Sequence, residues 1–307
     1  MDKNKTFDLK AIALECQVKE DIQAEIIVKN LEAIKDSYDE ENLVLLYNYS
    51  LTVCKKQEVL MYLVREIDRY REHSSLSFVL DLLLDRQNPI NLRIMCAKVA
   101  SHFKDTSAVT PILYCLNNKD ENYKLRLACA DSLGRIGDKY AVAPLIDLIQ
   151  DEDEKSVYVR ESAVAALGAL GDSRAIDPLV SILETKKGFM DKFTFLKERV
   201  IEALGKINFT NRRVMTALKH SLTDDSTYVR INAIEALMNS GEEEAVELIR
   251  ERLKDSDEEV RKNALVALYN MIGRQILDEV LDKSDYDDFL KKEAMSLIDE
   301  YEEENNE

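Results

Sequence analysis

Apolar residues recur every three to four positions along most of this chain. In the first 90 residues, four stretches show this spacing: EDIQAEIIVKNLEAIKDSYD, EENLVLLYNYSLTVC, KQEVLMYLVREIDRYREH and SLSFVLDLLLD. Such spacing places the apolar side chains on one face of a helix. The pattern therefore predicts four amphipathic helices joined by short polar breaks, preceded by a capping segment around FDLKAIALECQ.

From residue 90 onward the same pattern becomes a regular repeat. The segment KLRLACADSLGRIGDKYAVAPLIDLI is followed by YVRESAVAALGALGDSRAIDPLVSIL, which aligns Arg126 with Arg160. The register contains seven basic residues spaced 30 to 37 positions apart, here called anchors: Arg93, Arg126, Arg160, Lys197, Arg230, Arg261 and Lys291. A period of this length has room for two helices of three to four turns and two short loops. We call the helix that carries the anchor the first helix of each repeat.

Two aligned columns predict how the repeats stack. The residue before each anchor is Leu or Val, and the residue three after it is mostly Ala or Cys, so each first helix presents an apolar stripe to its neighbour. A carboxylate lies six positions before six of the seven anchors: Asp120, Glu154, Asp191, Asp224, Asp255 and Asp285. We expect this acid to cap the first helix and to meet a basic side chain of its own or the next repeat. An enzymatic acid/base array is the alternative, but catalysis needs one differentiated pair rather than a repeated one.

Glycine and proline also fall in columns. Two glycines, Gly134 and Gly137, lie in the stretch LGRIGDKYAVAPLIDLI, which could be mistaken for a phosphate-binding loop. Seven of the eight glycines lie eight, eleven or twelve positions after an anchor: Gly134, Gly168, Gly205, Gly137, Gly171, Gly241 and Gly273. We expect them to end first helices, where left-handed backbone is tolerated, and Asp138 and Asp172 to cap second helices. Three prolines lie eighteen positions after their anchors and predict a kink or a late helix start: Pro111, Pro144 and Pro178.

These columns resemble the HEAT-repeat superfamily, and the motif ALGxLGDxxAxxPLxxLL is similar to the bilin-lyase-type HEAT-like repeat. The resemblance is specific over residues 122–183 and good over 90–281. It implies an all-α, right-handed superhelix (solenoid) of about eight to nine antiparallel helix pairs, with second helices on the concave side. We expect residues 1–89 to form a cap and degenerate repeats, and residues 90–307 to form regular repeats with a final capping helix and acidic tail, in one continuous solenoid.

Composition narrows the class of protein. With eight glycines and four prolines in 307 residues, the chain has little material for a sheet-rich fold. A net charge of −17 disfavours nucleic acid or an anionic membrane as the main partner. No apolar run approaches the roughly 20 residues needed to span a bilayer, and the start lacks a signal peptide. We therefore expect a cytoplasmic protein.

Catalytic and metal-binding signatures are missing from the sequence. The five cysteines form no C-x-x-C pair and lie among apolar helical residues, so we expect buried free thiols. The three histidines are isolated, and there is no G-x-x-x-x-G-K-[ST], G-x-S-x-G or H-E-x-x-H motif. The HEAT-like proteins that this chain resembles include diiron hydroxylases, which bind metal through His-Glu dipeptides, and this chain contains no such dipeptide. We expect no catalytic residue, no metal site and no cofactor.

One segment departs from the acidic average. Residues 186–220 contain nine basic residues and three acids, and they include the longest step between anchors. The candidate binding residues are Lys186, Lys187, Phe189, Met190, Lys192, Phe193, Arg212 and Arg213. Aromatic and cationic side chains in this order could contact an acidic peptide, a phosphate or a nucleic-acid strand. Alternatively, Met190 and Phe193 pack on the adjacent repeat. Phe195 shares a column with Tyr158, Tyr228 and Phe289, which predicts structural packing.

Three functions are compatible with these patterns. The leading hypothesis is a non-enzymatic interaction scaffold that binds a protein or peptide partner on the concave face and the 186–193 loop. The repeat subtype alone suggests a bilin or tetrapyrrole lyase or a chromophore chaperone. A nucleic-acid binder that uses the basic 186–220 segment is the third hypothesis, and it predicts salt-sensitive binding.

Overall fold

The computed structural model describes residues 8–184, 194–207 and 211–304. All regular secondary structure in these ranges is helical. The chain forms two compact units, Met1–Leu148 and Ile149–Glu307. The boundary predicted at residue 89 follows the regularity of the repeat rather than compactness, and it stays a prediction.

The first unit contains short helices joined by tight turns. They are α1 (Leu9–Glu15), α2 (Ala24–Ala33), α3 (Glu40–Val53), α4 (Gln57–Tyr70), α5 (Leu76–Leu84), α6 (Ile90–His102), α7 (Val109–Asn117), α8 (Tyr123–Ile136) and α9 (Val142–Gln150), whose last residues belong to the second unit. The four helices predicted before residue 90 are confirmed as α2 to α5, and α1 lies in the predicted capping segment.

The second unit continues the alternation of longer and shorter helices. They are α10 (Val157–Leu170), α11 (Ile176–Glu184), α12 (Thr194–Ile207), α13 (Arg212–Ser221), α14 (Thr227–Ser240), α15 (Glu243–Arg250), α16 (Glu258–Ile272), α17 (Gln275–Asp282) and α18 (Asp288–Glu304). The described ranges thus hold eight helix pairs, from α2/α3 to α16/α17, between α1 and α18. The predicted eight to nine pairs are confirmed.

The packing inside each unit follows the predicted apolar stripe. Each first helix contacts the next first helix, as α6 contacts α8 and α12 contacts α14, and it also contacts the second helix of the preceding pair. The stripe residues are fully buried, for example Val159 with Ala163 and Val229 with Ala233. Small residues on this stripe let neighbouring helices approach closely, and the core of each unit is a layer between its first and second helices.

The glycine columns have two different structural roles. Gly137, Gly171 and Gly241 follow α8, α10 and α14 with φ of +84°, +63° and +68°, the left-handed conformation that ends a helix. Gly134, Gly168 and Gly205 lie inside α8, α10 and α12, so the prediction that they end first helices is wrong. Each lies two residues before the last residue of its helix, and Gly168 lies against Ala203 of α12.

Each prolyl second helix starts late. Asp138 accepts a hydrogen bond from the amide of Tyr140, and Asp172 accepts one from Arg174, so both cap a short 3-10 turn. The α-helix begins directly after this turn. The three prolines therefore occupy the third residue of their helices, where the amide would have no partner within the helix: Pro111, Pro144 and Pro178. The late helix start is confirmed, and the caps belong to the 3-10 turn rather than to the α-helix.

The anchors tie consecutive elements together. Arg93 donates from Nε to the carbonyl of Leu83 at 2.7 Å, and Arg126 donates in the same way to Leu116. Both guanidinium groups are buried and hold the last turn of the preceding second helix. Carbonyls at helix ends need such donors because they have no partner within the helix.

Several anchors also meet a carboxylate of the next repeat. The acid six positions before an anchor therefore meets the anchor of the preceding repeat, whereas the prediction was a basic side chain of its own or the next repeat. Arg230 makes two hydrogen bonds to Asp255, of 3.0 and 3.1 Å, and Lys197 lies 2.9 Å from Asp224. In the first unit Arg93 contacts both oxygens of Glu121, one position beyond the predicted acid. The Arg93 guanidinium lowers the pKa of Glu121 below its usual value.

The predicted cap is wrong by two positions. Asp224 accepts the amide of Ser226, and Asp255 accepts the amide of Asp257. Ser226 and Asp257 are the actual caps of α14 and α16. The acid six positions before the anchor therefore braces the turn before the helix, and the residue four before the anchor caps it. Of the remaining acids in the column, Asp191 lies outside the described residues.

The cysteines are buried free thiols, as predicted: Cys16, Cys54, Cys96, Cys115 and Cys129. Burial raises the pKa of Cys96 to about 12. In the described ranges, no group of three His, Cys, Asp or Glu residues is arranged to hold a metal ion. The search for a helix long and apolar enough to span a bilayer, made over the same residues, found none.

Candidate partner-binding surface

The candidate residues from the sequence divide into two groups. Six lie outside the described residues: Lys186, Lys187, Phe189, Met190, Lys192 and Phe193. Arg212 and Arg213 are the first two residues of α13, the second helix of its repeat. The structure therefore places the described part of the candidate site on the second-helix surface of the C-terminal unit.

Helix α13 has an entirely basic and neutral sequence, with no acid between Arg212 and Ser221. Its apolar side, which includes Val214 and Leu218, is buried. Arg212, Thr216 and Lys219 follow one another at helical spacing and are all exposed. In a chain of net charge −17, this helix presents a cationic face.

The two arginines have different surroundings. Arg213 lies 2.9 Å from Asp177 and 3.6 Å from Glu184, both on α11. All three side chains are largely exposed, so these pairs contribute little to stability, at most about 1 kcal/mol each. Among the described residues, the guanidinium of Arg212 forms no ion pair. The two arginines are thus neighbours on α13, and within the described part of the chain only Arg213 of the two forms ion pairs.

Two recesses flank α13. One, of about 350 Å³, lies between α13 and α15, and the other, of about 290 Å³, lies between α11 and α13. Thr216 and His220 line both of them. The Thr216 hydroxyl donates to the Arg212 carbonyl at 2.9 Å. Helix α13 is therefore the ridge between two openings.

The larger recess is lined by more cations than acids. Lys219 and Arg252 line it together with a single acid, Glu251, and His220 lies beside them. Arg252 donates to the carbonyl of Leu222 at 3.2 Å, and its buried Nε has no hydrogen-bond partner among the described residues. Such a recess favours an anionic or hydrogen-bond-accepting group.

The residues that line these recesses were not among the candidate binding residues, although Lys219 and His220 lie in the basic 186–220 segment. Thr216, Lys219 and His220 continue the helical spacing that starts at Arg212, so the stretch without acids was an available signal. Arg252 comes from the next repeat, and only the stacking of repeats brings it beside α13. No spacing within one helix could have indicated it.

The aromatic column on the first helices differs from its prediction. Tyr158, Phe195 and Tyr228 are 60%, 71% and 68% exposed, so the expectation of structural packing is wrong for these three. Each ring directly precedes the buried stripe residue, and one step along a helix turns the side chain about 100° away from the core. Phe289 is half-buried, and its ring centre lies 5.4 Å from the Arg261 guanidinium.

Comparison with known proteins identifies the family. A family model of HEAT repeats matches residues 111–196, 191–269 and 215–298, which together run over more than half of the chain. The chain belongs to the HEAT-repeat family. The helix pairs of this HEAT-repeat protein confirm the predicted all-α solenoid class. None of the curated proteins searched matches it.

Solved structures are similar to this HEAT-repeat protein in fold alone. Kap121p bound to Nup53p has 13% identity and a TM-score of 0.62, over 94% of this chain and 37% of that one. YibA of E. coli has 15% identity and a TM-score of 0.51, over 95% and 97%. The CpcE–CpcF complex of phycocyanin lyase from Nostoc sp. PCC7120 has 22% identity and a TM-score of 0.46, over 73% and 94%.

Proposed function

We propose that this HEAT-repeat protein is a non-enzymatic scaffold that binds a partner protein or peptide on the second-helix surface of its C-terminal unit. The basic helix α13 between two recesses is the observation that carries the proposal. Segment 186–193, which connects α11 to α12 along the chain, is the proposed second part of the contact surface. The bound segment is acidic.

The acidic partner follows from the charges on and beside α13. Arg212 and Lys219 are exposed cations about two turns apart. Arg252 lines the larger recess, and its guanidinium lies 3.5 Å from Glu251. An extended peptide that crosses α13 can place one side chain in each recess and its carboxylates against these cations. Charges at the rim of an interface raise the association rate and fix the register of the partner. Binding should therefore weaken as salt is raised.

The two recesses beside α13 can each receive a side chain of a bound peptide. They measure about 290 and 350 Å³ and lie on opposite sides of one helix. Because rigid packed helices hold Thr216 and His220 between them, the surface is preorganised and loses little entropy on binding.

Affinity purification from the native host tests the proposal. The bait is the full chain, as wild type, as Arg212→Glu/Lys219→Glu, and as the control Lys98→Glu/Lys292→Glu, which reverses the same number of exposed charges elsewhere. A partner that the wild type and control retain, and that the α13 variant loses, supports the proposal. Equal retention by all three contradicts it. Thermal melts establish that each bait is folded, and glutamate at position 212 lies at a helix start, where acids are favourable.

A second variant tests the segment that lies outside the described residues. Phe189→Ala/Phe193→Ala should reduce recovery of the same partner if segment 186–193 contributes to the contact. Unchanged recovery removes this segment from the surface and leaves α13 as the whole of it. A pigment on the purified chain would instead favour the lyase or chaperone function, and salt-sensitive binding to DNA or RNA would favour the nucleic-acid function.

A further inference from the structure

The first helices of the C-terminal unit carry a second surface of different chemistry. We call the three exposed rings Tyr158, Phe195 and Tyr228 the ring strip. They occupy the same register position on α10, α12 and α14, and more than half of each side chain is exposed to solvent. Consecutive first helices are in contact, so the rings follow one another across the surface, one per repeat. Exposed apolar groups arranged in this way mark interaction sites more often than scattered ones do.

A carboxylate follows each ring on the same helix face. Glu161 lies three residues after Tyr158, Glu198 lies three after Phe195, and Glu235 lies seven after Tyr228. Residues three and seven positions apart on a helix share a face. Each ring therefore has an acid one or two turns farther along its own helix.

Acids outnumber bases on this surface. Four carboxylates, those of Glu161, Glu198, Glu202 and Glu235, share the face with the cations Arg199 and Lys206. Arg199 lies 2.5 Å from Glu202 and 3.4 Å from Glu161. Burial and the negative charge of Glu161 raise the pKa of Glu198. The arrangement leaves negative charge that an incoming cation would neutralise.

A recess of about 550 Å³ opens between α12 and α14 on this face. Ile201, Gly205 and Ala236 supply its apolar lining, and Asn232, Glu235 and Asn239 supply polar groups. Glu202 and Lys206 also line the recess and form an ion pair of 2.6 Å with each other. Among the described residues, neither Glu235 nor Asn239 makes a side-chain hydrogen bond or ion pair. The recess thus offers a carboxylate and a carboxamide oxygen beside an apolar wall.

The geometry points to a binding surface for arginine side chains of a basic protein segment. The rings take the flat faces of guanidinium groups, the neighbouring carboxylates accept their N–H donors, and the recess receives one side chain with its alkyl stem against Gly205 and Ala236. Arginine fits better than lysine because a planar guanidinium stacks on rings and donates in several directions. This surface lies on other helices than α13 and carries the opposite charge, so it is independent of the proposed function.

Fluorescence anisotropy of the full chain tests this inference. The probe is a fluorescein-labelled peptide of four Arg-Gly-Gly repeats, compared with the equivalent lysine and glutamine peptides. Phe195→Ala/Tyr228→Ala removes two rings and keeps the charge. The control Tyr114→Ala/Tyr140→Ala removes two rings that are 61% and 67% exposed in the first unit. We expect the ring-strip variant to weaken arginine-peptide binding about tenfold, and the control to change it less than twofold.

A second pair of variants distinguishes binding at this recess from nonspecific attraction of a cationic peptide to a negatively charged protein. Glu235→Gln and Glu244→Gln each remove one exposed carboxylate, the latter on α15 away from the recess. We expect Glu235→Gln to weaken the arginine peptide about threefold more than Glu244→Gln, and the lysine peptide to bind about threefold more weakly than the arginine peptide. Equal effects of site and control variants, or equal binding of the glutamine peptide, would overturn the inference.

The same assay keeps the two proposals apart. A peptide of four Glu-Gly-Gly repeats reports on α13 and should respond to Arg212→Glu/Lys219→Glu but not to the ring-strip variant. If only the acidic peptide behaves as expected, the ring strip fails and the proposed function stands. The converse result would retain the ring strip and remove α13.

Discussion

Two neighbouring junctions in the C-terminal unit have the same glycine and alanine at the same register, yet one is closed and the other is open. Where α10 meets α12, Gly168 lies so close to Ala203 that a Cβ on the glycine would be 2.8 Å from the alanine Cα. Where α12 meets α14, Gly205 and Ala236 line a recess of about 550 Å³. The shared column does not decide how closely the helices approach.

The flanking columns account for the difference. At five and nine positions after the anchor, α10 has Ala165 and Ala169, whereas α12 has Glu202 and Lys206. Alanines allow close approach of two helices, while long charged side chains keep the helices apart and stay solvated at the surface. A glycine in a repeat can therefore permit close packing or line a binding recess, according to its neighbours on the helix face.

The largest expected effect concerns the anchors of α12 and α14, Lys197 and Arg230. Arg230→Ala would leave Asp255 buried without its bidentate partner, so the free energy of unfolding should fall by about 3–5 kcal/mol. Lys197→Ala at the previous repeat should cost less, because an ammonium group cannot bind both carboxylate oxygens in the planar geometry of a guanidinium. Urea unfolding of the full chain measures both. Equal losses would show that the two anchors are energetically interchangeable.

Alanine at the two glycines should act in opposite directions. Gly168→Ala forces α10 and α12 apart and should lower the free energy of unfolding by about 1–3 kcal/mol. Gly205→Ala adds a methyl group that faces the recess and improves helix propensity, so stability should rise by up to about 1 kcal/mol. The same urea titrations provide the measurement, and changes of the same sign would contradict the contrast between a closed and an open junction.

The smallest expected effects concern Glu198 and Glu202 of α12, whose pKa values are shifted in opposite directions. The pKa of Glu198 is raised by burial and by Glu161, so its charge destabilises the fold above its usual pKa, and Glu198→Gln should stabilise the chain at about pH 7. Lys206 and Arg199 lower the pKa of Glu202, so its contribution is present above the usual pKa and is lost as pH falls through the lowered value. Glu202→Gln should therefore destabilise the chain at about pH 7, and each change should be below about 1 kcal/mol.

Thermal melts at about pH 7 and pH 3 check these signs, since both substitutions should lose most of their effect when the carboxyl groups are protonated. Glu244→Gln, on an exposed part of α15, is the matched control and should have little effect at either pH. A stabilising Glu202→Gln at neutral pH would contradict the assignment of Lys206 and Arg199 as its partners.

Much of the fold was predictable because its signals are local. Helical spacing predicted α2 to α5, and the repeat register predicted the late start at Pro144. The register also predicted a basic partner for Asp255, but not that this partner, Arg230, lies in the preceding repeat. Two local predictions were wrong for different reasons. Phe195 lies one step off the buried stripe, and neighbouring positions on a helix face in different directions, so the ring is exposed. Gly168 lies two residues before the end of α10, where it allows Ala203 to approach closely rather than ending the helix.

The candidate surface was less predictable because its parts come from different repeats. Arg212 was selected from the charge of its segment, but the recess beside α13 also needs Arg252, which is 40 positions farther along the chain. The recess between α12 and α14 depends on which side chains oppose each other after stacking. An aligned column identifies residues that recur from repeat to repeat. These recesses form where the flanking residues differ between repeats.

The anchor pairs also bear on how the C-terminal unit loses its structure. Arg230 is bound both to its own repeat, through the carbonyl of Asp224, and to the next one, through Asp255. If the turn at Asp255 melted, the buried guanidinium of Arg230 in the preceding repeat would lose its carboxylate partner. Neighbouring repeats should consequently unfold as one cooperative block, with hydrogen exchange in α14 and α16 proceeding through a shared opening event.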